Sequence, residues 1–421
     1  MAIKIDLRLA VYALSDALDL VGVDEVQHGK RVGFMALQCG RRLGWDERKL
    51  DELLHAGLLH DCGVSSTAMH RCLVQELDWD GSQEHCLLGE RLLNEFAPLA
   101  HLAPVIRYHH SHWDALRAEG VDQEVARMAN LIFLVDRVDA LAAPHYGRDL
   151  MLVRDEIRQR LNGLAGSFFD PELVKAFLEV SVSEAFWYSL EPRHMDQFLW
   201  RMVRAHHPVS VGMEELRQFA SLFARVVDAK SRFTWEHSEG VAHLARGLAR
   251  WAGLSPERCD LIEIAGLLHD LGKLQVPDEV LEKPGLLDRT ERTLVNRHSF
   301  ETYQILNRIP GLEEVAKWAA CHHEALNGAG YPFHYHDNQL PIEARIIAVA
   351  DIFQALSQHR PYREPLTPAE ILRDLRARVA AQRVDGGVVD LVAAHLKECH
   401  GLATGGTRTA LHRSEAKQVS A

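Results

Sequence analysis

The 421-residue sequence lacks any run of about 18 apolar residues, so no segment is suited to cross a bilayer as a helix. It also lacks the secretory layout of basic head, apolar core and small-residue cleavage site; the opening "MAIKIDLRLAVYALSDALDL" carries Asp6 and Asp16 instead. These two absences lead to the expectation of a cytoplasmic protein with no membrane contact. An excess of positive charge is missing too. Lys and Arg number 47 against 59 Asp and Glu, a formal charge of −12, which argues against general nucleic-acid binding. A small anionic ligand is not excluded, because a local cation or metal dominates the field at its own site. The seven cysteines contain no Cys-x-x-Cys pair, which points to reduced thiols rather than a disulfide frame or a zinc ribbon. Strand-like alternation is scarce.

What the chain has is histidine, 25 in all, many beside acids. The densest stretch is "HHEALNGAGYP", residues 322–332. The chain also repeats itself. "HAGLLHDCG" at 55–63 returns as "IAGLLHDLG" at 264–272, an offset of 209 that also carries His28 onto His237. His85 maps onto His298, and His109-His110 onto His322-His323, at 213; Asp136 maps onto Asp351 at 215. Seven ionisable residues recurring in order and near register indicate a duplicated domain.

The segments between them read as helices. "DELLHAGLLHD", "DLIEIAGLLHD", "EELRQFASLFARVVDAK" (214–230) and "IEARIIAVADIFQALSQ" (342–358) have helical apolar spacing. The expected fold is all-α: two tandem helical bundles with ligands on facing helices. The expected division is a first domain over 1–190, a linker over 191–212 broken by Pro192, Pro208 and Gly212, a second domain over 213–400, and a disordered tail over 401–421.

The second copy offers His237, His269, Asp270, His298, His322, His323 and Asp351: five imidazoles, two carboxylates and no thiolate. Mixed N/O ligation suits Fe, Mn, Zn, Ni or Co. Seven donors exceed the needs of one ion, and a carboxylate next to a histidine is placed to bridge two. The economical reading is a binuclear site with ions about 3.5–4 Å apart, which acidifies a bridging water for phosphoester hydrolysis. Lys273, about one turn after Asp270, and Arg360 and Arg363 after Asp351 add cations suited to phosphate.

These residues resemble the HD-GYP family of HD-domain metal phosphohydrolases. The resemblance covers roughly 213–370, through "HS" at 237–238, "LLHDLGK" at 267–273, "VPDEVLEKPG" at 276–285, "HHEALNGAGYP" at 322–332, "RIIAVAD" at 345–351 and "RPYR" at 360–363. It implies an all-α fold and a pair of divalent transition metals, iron or manganese first, with nickel, cobalt or zinc as alternatives. It implies hydrolysis of a cyclic dinucleotide to the linear form, with cyclic di-GMP or 3′,3′-cyclic GMP-AMP as substrate. Metal roles fall to the seven residues above, with Asp270 and Lys273 as the catalytic pair. Lys273, Tyr331, Arg360 and Arg363 are implied to bind substrate. The Gly330-Tyr331-Pro332 loop is implied to lie beside substrate or to meet partner signalling proteins. The chain departs from the family pattern at Asn327, at Thr302 (family glycine), at Gln354 (family aspartate) and at Phe233, where trinuclear members carry glutamate; two metals are therefore expected.

The first copy keeps His28, His60, Asp61, His85, His109, His110 and Asp136, and Asp24 precedes His28 by four. Val64 replaces the lysine, Ser111 replaces the glutamate after the His pair, and His145 stands for Arg360. The expectation is a degenerate, regulatory domain that binds metal without catalysis. Two alternatives remain open for the chain: a hydrolase of another nucleotide, or a non-catalytic signalling module. The tandem layout also resembles bacterial phosphodiesterases that act on 3′,3′-cyclic GMP-AMP.

Overall fold

A computed structural model describes residues 5–22, 27–64, 66–195, 210–230, 237–359 and 364–405. Arg360, Arg363, Asp24, Phe233 and most of the expected linker lie outside them. The chain divides into two compact units, Ile5–Val211 and a second from Gly212 onward. Both are helical; the described strands are the two-residue pair Ile5–Asp6 and Ser210–Val211, antiparallel, within the first unit. Ser210 and Val211, expected in the linker, thus belong to the first unit. No described helix is long and apolar enough to cross a membrane.

The first unit is built on helices His28–Arg42, Glu47–Leu59, Gln83–Asn94, Ala103–Tyr108 and Gln123–Ala142. The second repeats the order as His237–Trp251, Pro256–Leu268, His298–Leu306, Glu313–Ala320 and Ile342–Ser357. Local chemistry sets the starts. The Asp46 carboxylate accepts the Lys49 N–H, Asp122 accepts from Glu124 and Val125, and Ser255 caps Pro256–Leu268, where Pro256 takes the first turn that needs no donor. The long central helix of each unit is apolar nearly all round: Leu131–Val135 and Ile346–Ile347 are fully buried, as are Val349, Ala350 and Phe353. A helix of that kind belongs in the middle of a bundle.

The first two helices of each repeat cross closely. A Cβ on Gly57 would lie 2.7 Å from Gly33 Cα, and one on Gly266 would lie 2.7 Å from Ala242 Cα. The small residues of "HAGLLHD" and "IAGLLHD" therefore permit the approach that brings the first histidine of each unit to the second. After the core helices come Pro368–Ala380, Gly386–Ala394 and Leu396–Ala403. The last runs three residues past the expected start of the tail because Cys399 and Ala403 are buried against the bundle.

Candidate metal centre

In the second unit the seven sequence-identified residues come to one place from five elements. His237 opens its helix, and His269 and Asp270 follow the C-terminus of Pro256–Leu268. His298 opens His298–Leu306, His322 and His323 end the turn after Glu313–Ala320, and Asp351 lies within Ile342–Ser357. Two features hold the ends in register. Asp228, on the preceding helix Met213–Ala229, accepts the Ser238 backbone N–H and the Ser238 hydroxyl at 3.1 and 2.8 Å. Burial lifts the Asp228 carboxyl to about 6, against the pull of His237. Gly272 lies so close to the third histidine that a Cβ there would stand 2.2 Å from the His298 carbonyl oxygen. The glycine two after Asp270 is thus a packing requirement.

Asp270 sits between two groups of donors. Its Oδ2 is 3.5 Å from His237 Nε2 and 3.2 Å from His269 Nε2; its Oδ1 is 3.4 Å from His298 Nε2 and 3.8 Å from His322 Nε2. Asp351 Oδ1 adds to the first group, 3.3 Å from His237 Nε2. The ligand atoms of His237, His269 and Asp351 lie within 4.8 Å of one another, and so do those of His298, His322 and His323.

The imidazole tautomers follow from their partners. Nδ1 of His269, His298 and His322 each faces a backbone carbonyl, of Gly266, Val295 and Ala319, at 2.8, 2.5 and 2.6 Å. A carbonyl only accepts, so Nδ1 carries the proton and a neutral ring turns the Nε2 lone pair into the site. His298 Nε2 and His322 Nε2 are 3.3 Å apart, two lone pairs face to face. His269 Nε2 and Asp270 Oδ1 are buried without a hydrogen-bond partner. Such groups are costly unless something satisfies them, and a cation between the nitrogens and the carboxylate does so. The residues therefore fit divalent metal.

Charge states agree with the geometry. Burial opposes ionisation of Asp270, yet His269 and Lys273 hold its carboxyl well below the usual range. Burial pushes His298 down to about 3 and His323 to about 4, and His322 well below its ordinary value. These three rings are neutral at pH 7, as ligation requires. His237 goes the other way: burial disfavours its charge, but hydrogen bonds to Asp270 and Asp351 raise it to about 9.

Other expected site residues are placed as follows. The Lys273 ammonium lies 2.5 Å from Asp270 Oδ2, beside the donors rather than open to the cleft. The Tyr331 ring stands 4.9 Å from the His323 ring. Glu324 accepts the backbone N–H groups of Phe333 and Tyr335 at 2.7 and 3.1 Å, and so folds the Gly-Tyr-Pro loop over itself. Gln354 gives a departure from the family pattern a role: its Oε1 accepts from His237 Nδ1 at 2.5 Å. The Thr302 hydroxyl accepts the Gly272 N–H at 3.0 Å and donates to the His269 carbonyl at 3.2 Å, tying the turn after the His-Asp pair. A cleft of about 920 Å³ opens beside His322, His323, Tyr331 and Asp351, and Arg378 and Arg383 stand on its wall. Sequence spacing gave no signal for these two arginines.

The first unit assembles the same constellation. Asp61, His85, His109 and His110 form one group, and His28, His60 and Asp136 another. His28 Nε2 and His60 Nε2 are 3.2 Å apart, as are His85 Nε2 and His109 Nε2. Asp19 supports the first histidine's helix as Asp228 does, accepting the Gly29 N–H at 3.2 Å. His28 Nδ1 rests 2.7 Å from Asp139 Oδ2, and Arg31 Nε lies 2.6 Å from Asp139 Oδ1. The wall beside Asp136 differs from that beside Asp351. Arg137 donates to Asp136 Oδ2 at 3.0 and 2.7 Å and to the carbonyls of Leu73 and Glu76, both at 2.8 Å. His112 stacks on Phe168 at 3.8 Å, and Phe133 packs against His110 and Phe169. His112, which the sequence offered no reason to single out, is therefore part of the wall. A smaller cavity of about 340 Å³ touches the site from the side of His28, His60, Asp61 and His70.

Comparison with known proteins agrees with both halves. Residues 26–143 and 221–388 each match a family model described as an HD domain. The chain is 37% identical over 404 residues to 3'3'-cGAMP-specific phosphodiesterase 1 of Vibrio cholerae, covering 95% of this chain and 94% of that one. It is 39% identical over 169 residues to the cyclic di-GMP phosphodiesterase response regulator RpfG of Xanthomonas campestris, covering 39% and 44%. The crystal structure of a V. cholerae cyclic GMP-AMP-specific phosphodiesterase shares the fold over 94% of this chain and 98% of that one, with a TM-score of 0.64 at 24% identity. The chain belongs to the HD-GYP family of HD-domain, metal-dependent cyclic-dinucleotide phosphodiesterases, with one HD domain in each of its two units.

Proposed function

We propose that the second unit opens 3′,3′-cyclic GMP-AMP to its linear dinucleotide, using two divalent transition metal ions, iron or manganese, held by His237, His269, Asp270, His298, His322, His323 and Asp351. The observation that carries the metal reading is Asp270, which turns one oxygen to each group of imidazoles. The substrate choice is supported by the relative matched from end to end, whose name specifies that dinucleotide. Cyclic di-GMP is the second candidate, supported by the shorter match to a cyclic di-GMP phosphodiesterase.

Bound divalent cations supply Lewis acidity toward a phosphoester and lower the pKa of water that attacks it. The chain supplies the rest. Backbone carbonyls fix three imidazoles with their lone pairs inward, and Gln354 aims His237. His269 and Lys273 hold the Asp270 carboxyl low, and Lys273 brings an ammonium to the edge of the donors. The cleft admits a nucleotide beside Asp351 and Tyr331. The first unit, in this reading, holds metal but does not turn over substrate.

The test is hydrolysis of 3′,3′-cyclic GMP-AMP and cyclic di-GMP side by side, with manganese or anaerobic iron, by the wild type and the His269→Ala/Asp270→Ala variant. Cleavage by the wild type alone, faster on the mixed dinucleotide, is the expected result. Wild-type protein that holds metal and cleaves neither would overturn the proposal and favour hydrolysis of another nucleotide.

A further inference from the structure

A cyclic dinucleotide carries two phosphodiesters, and the seven metal-facing donors account for one of them. The other needs a cation elsewhere in the cleft of a chain whose formal charge is −12. Among the described residues, Arg378 and Arg383 line that cleft, and Lys273 stands beside the metal-facing donors. Lys273 is paired with Asp270 at 2.5 Å, and Arg378 with Asp374 at 2.5 Å. Arg383 lines the cleft with no ion pair or side-chain hydrogen bond among the described residues.

Its backbone, by contrast, is fixed. Arg383 N–H donates to the Arg378 carbonyl at 2.9 Å, after Gln382 has turned the chain with φ +53°. The Arg383 carbonyl accepts the Leu326 N–H at 3.3 Å, and Asn327 Nδ2 donates to the Ala381 carbonyl at 3.1 Å. The turn is thereby tied to the loop that follows His322 and His323. A held backbone with unengaged N–H donors in a planar fork is suited to a phosphate. The first unit supplies a contrast. Trp113 N–H donates to the Phe168 carbonyl at 2.9 Å, the counterpart of the Leu326–Arg383 bond, so Phe168 holds the corresponding place. There the side chain is a ring stacked on His112 and offers an anion nothing.

We propose that Arg383 is a substrate-binding residue that grips the phosphodiester not being cut, and so favours cyclic dinucleotides over ligands with one phosphate. The proposal rests on the functional reading above. Its test uses the full-length, metal-loaded protein and the variants Arg383→Ala and Arg383→Lys, with metal content measured in each. The first readout is the KM and kcat of the cyclic substrate. The second is equilibrium dialysis of the 5′-phosphorylated linear dinucleotide against the same dinucleotide without its terminal phosphate. Arg383→Ala should raise KM about 10-fold or more, the scale of a lost charged hydrogen bond, with kcat and metal content near wild type. It should also erase the preference for the phosphorylated linear ligand, and lysine should restore part of both. An unchanged KM and an unchanged preference would overturn the role. A fall in kcat together with metal content would make Arg383 structural and overturn it too. If the wild type leaves cyclic dinucleotides intact, the functional reading fails, and the dialysis still decides whether Arg383 holds a nucleotide phosphate.

Discussion

The two units carry the same seven donors and differ in what stands beside the last of them. In the second unit the helix residues flanking the cleft are Ala348 and Ile352; at the offset that relates Asp351 to Asp136, the first unit has Phe133 and Arg137. Ala325 becomes His112, and Arg383 and Val384 become Phe168 and Phe169. The matching backbone bonds at Leu326 and Trp113 keep the two walls in register. The consequence is visible at the carboxylates: the Asp351 side chain is 13% exposed and borders the cleft, whereas Asp136 is 3% exposed and lies under Arg137. A guanidinium and a stack of rings fill in the first unit what is open in the second. In the proposed division of labour, the first unit leaves turnover to the second because the substrate's place is filled while the metal-ligating residue types stay.

That comparison is sharpest if the filling is moved. Ala348→Phe places the first unit's ring in the second unit's cleft. Turnover should fall about 100-fold or more, as displacement of a bound substrate from its reacting position does, with metal content retained. Steady-state kinetics with metal analysis checks it; full turnover in this variant would break the comparison. Gln354→Leu comes next. It removes the acceptor that sets the His237 tautomer, and losing such an outer partner costs about 10- to 100-fold in metal affinity. Titration with a competing chelator should show that loss in the second unit alone. Phe133→Ala in the first unit should lower stability by about 3–5 kcal/mol, because a fully buried ring leaves a cavity. Denaturant unfolding measures it, and cyclic-dinucleotide turnover by the second unit should persist. The smaller loss of stability belongs to Thr302→Gly. It deletes the bonds to Gly272 and His269 and restores the family's residue, at a cost of about 2–3 kcal/mol.

The fold class and the donor set were legible because both rest on short-range rules. Helical spacing of apolar residues predicted the Met213–Ala229 and Ile342–Ser357 helices to within one residue at each end. The donors were legible because a metal site needs its residue types in fixed order on successive helices, and the duplication printed that order twice. Gln354 was visible only as a departure, since nothing in a sequence says that an amide three after Asp351 reaches a ring more than a hundred residues earlier. Arg378 and Arg383 were invisible for a related reason: one lies on the helix Pro368–Ala380 and the other follows the turn at Gln382, and only folding sets both on the cleft. The aromatic wall was hidden because Phe133, Phe168 and His112 each read as ordinary core or incidental residues. Only folding brings them to one face.

The most direct measurement is turnover of 3′,3′-cyclic GMP-AMP by Asp270→Ala and Asp61→Ala, each checked for folding and for metal content. The two aspartates hold equivalent places, one in each unit. The account predicts that Asp270→Ala loses turnover altogether, while Asp61→Ala keeps it and loses metal from the first unit only. Retained turnover in Asp270→Ala, or its loss in a folded Asp61→Ala protein, would contradict the division of labour between the units.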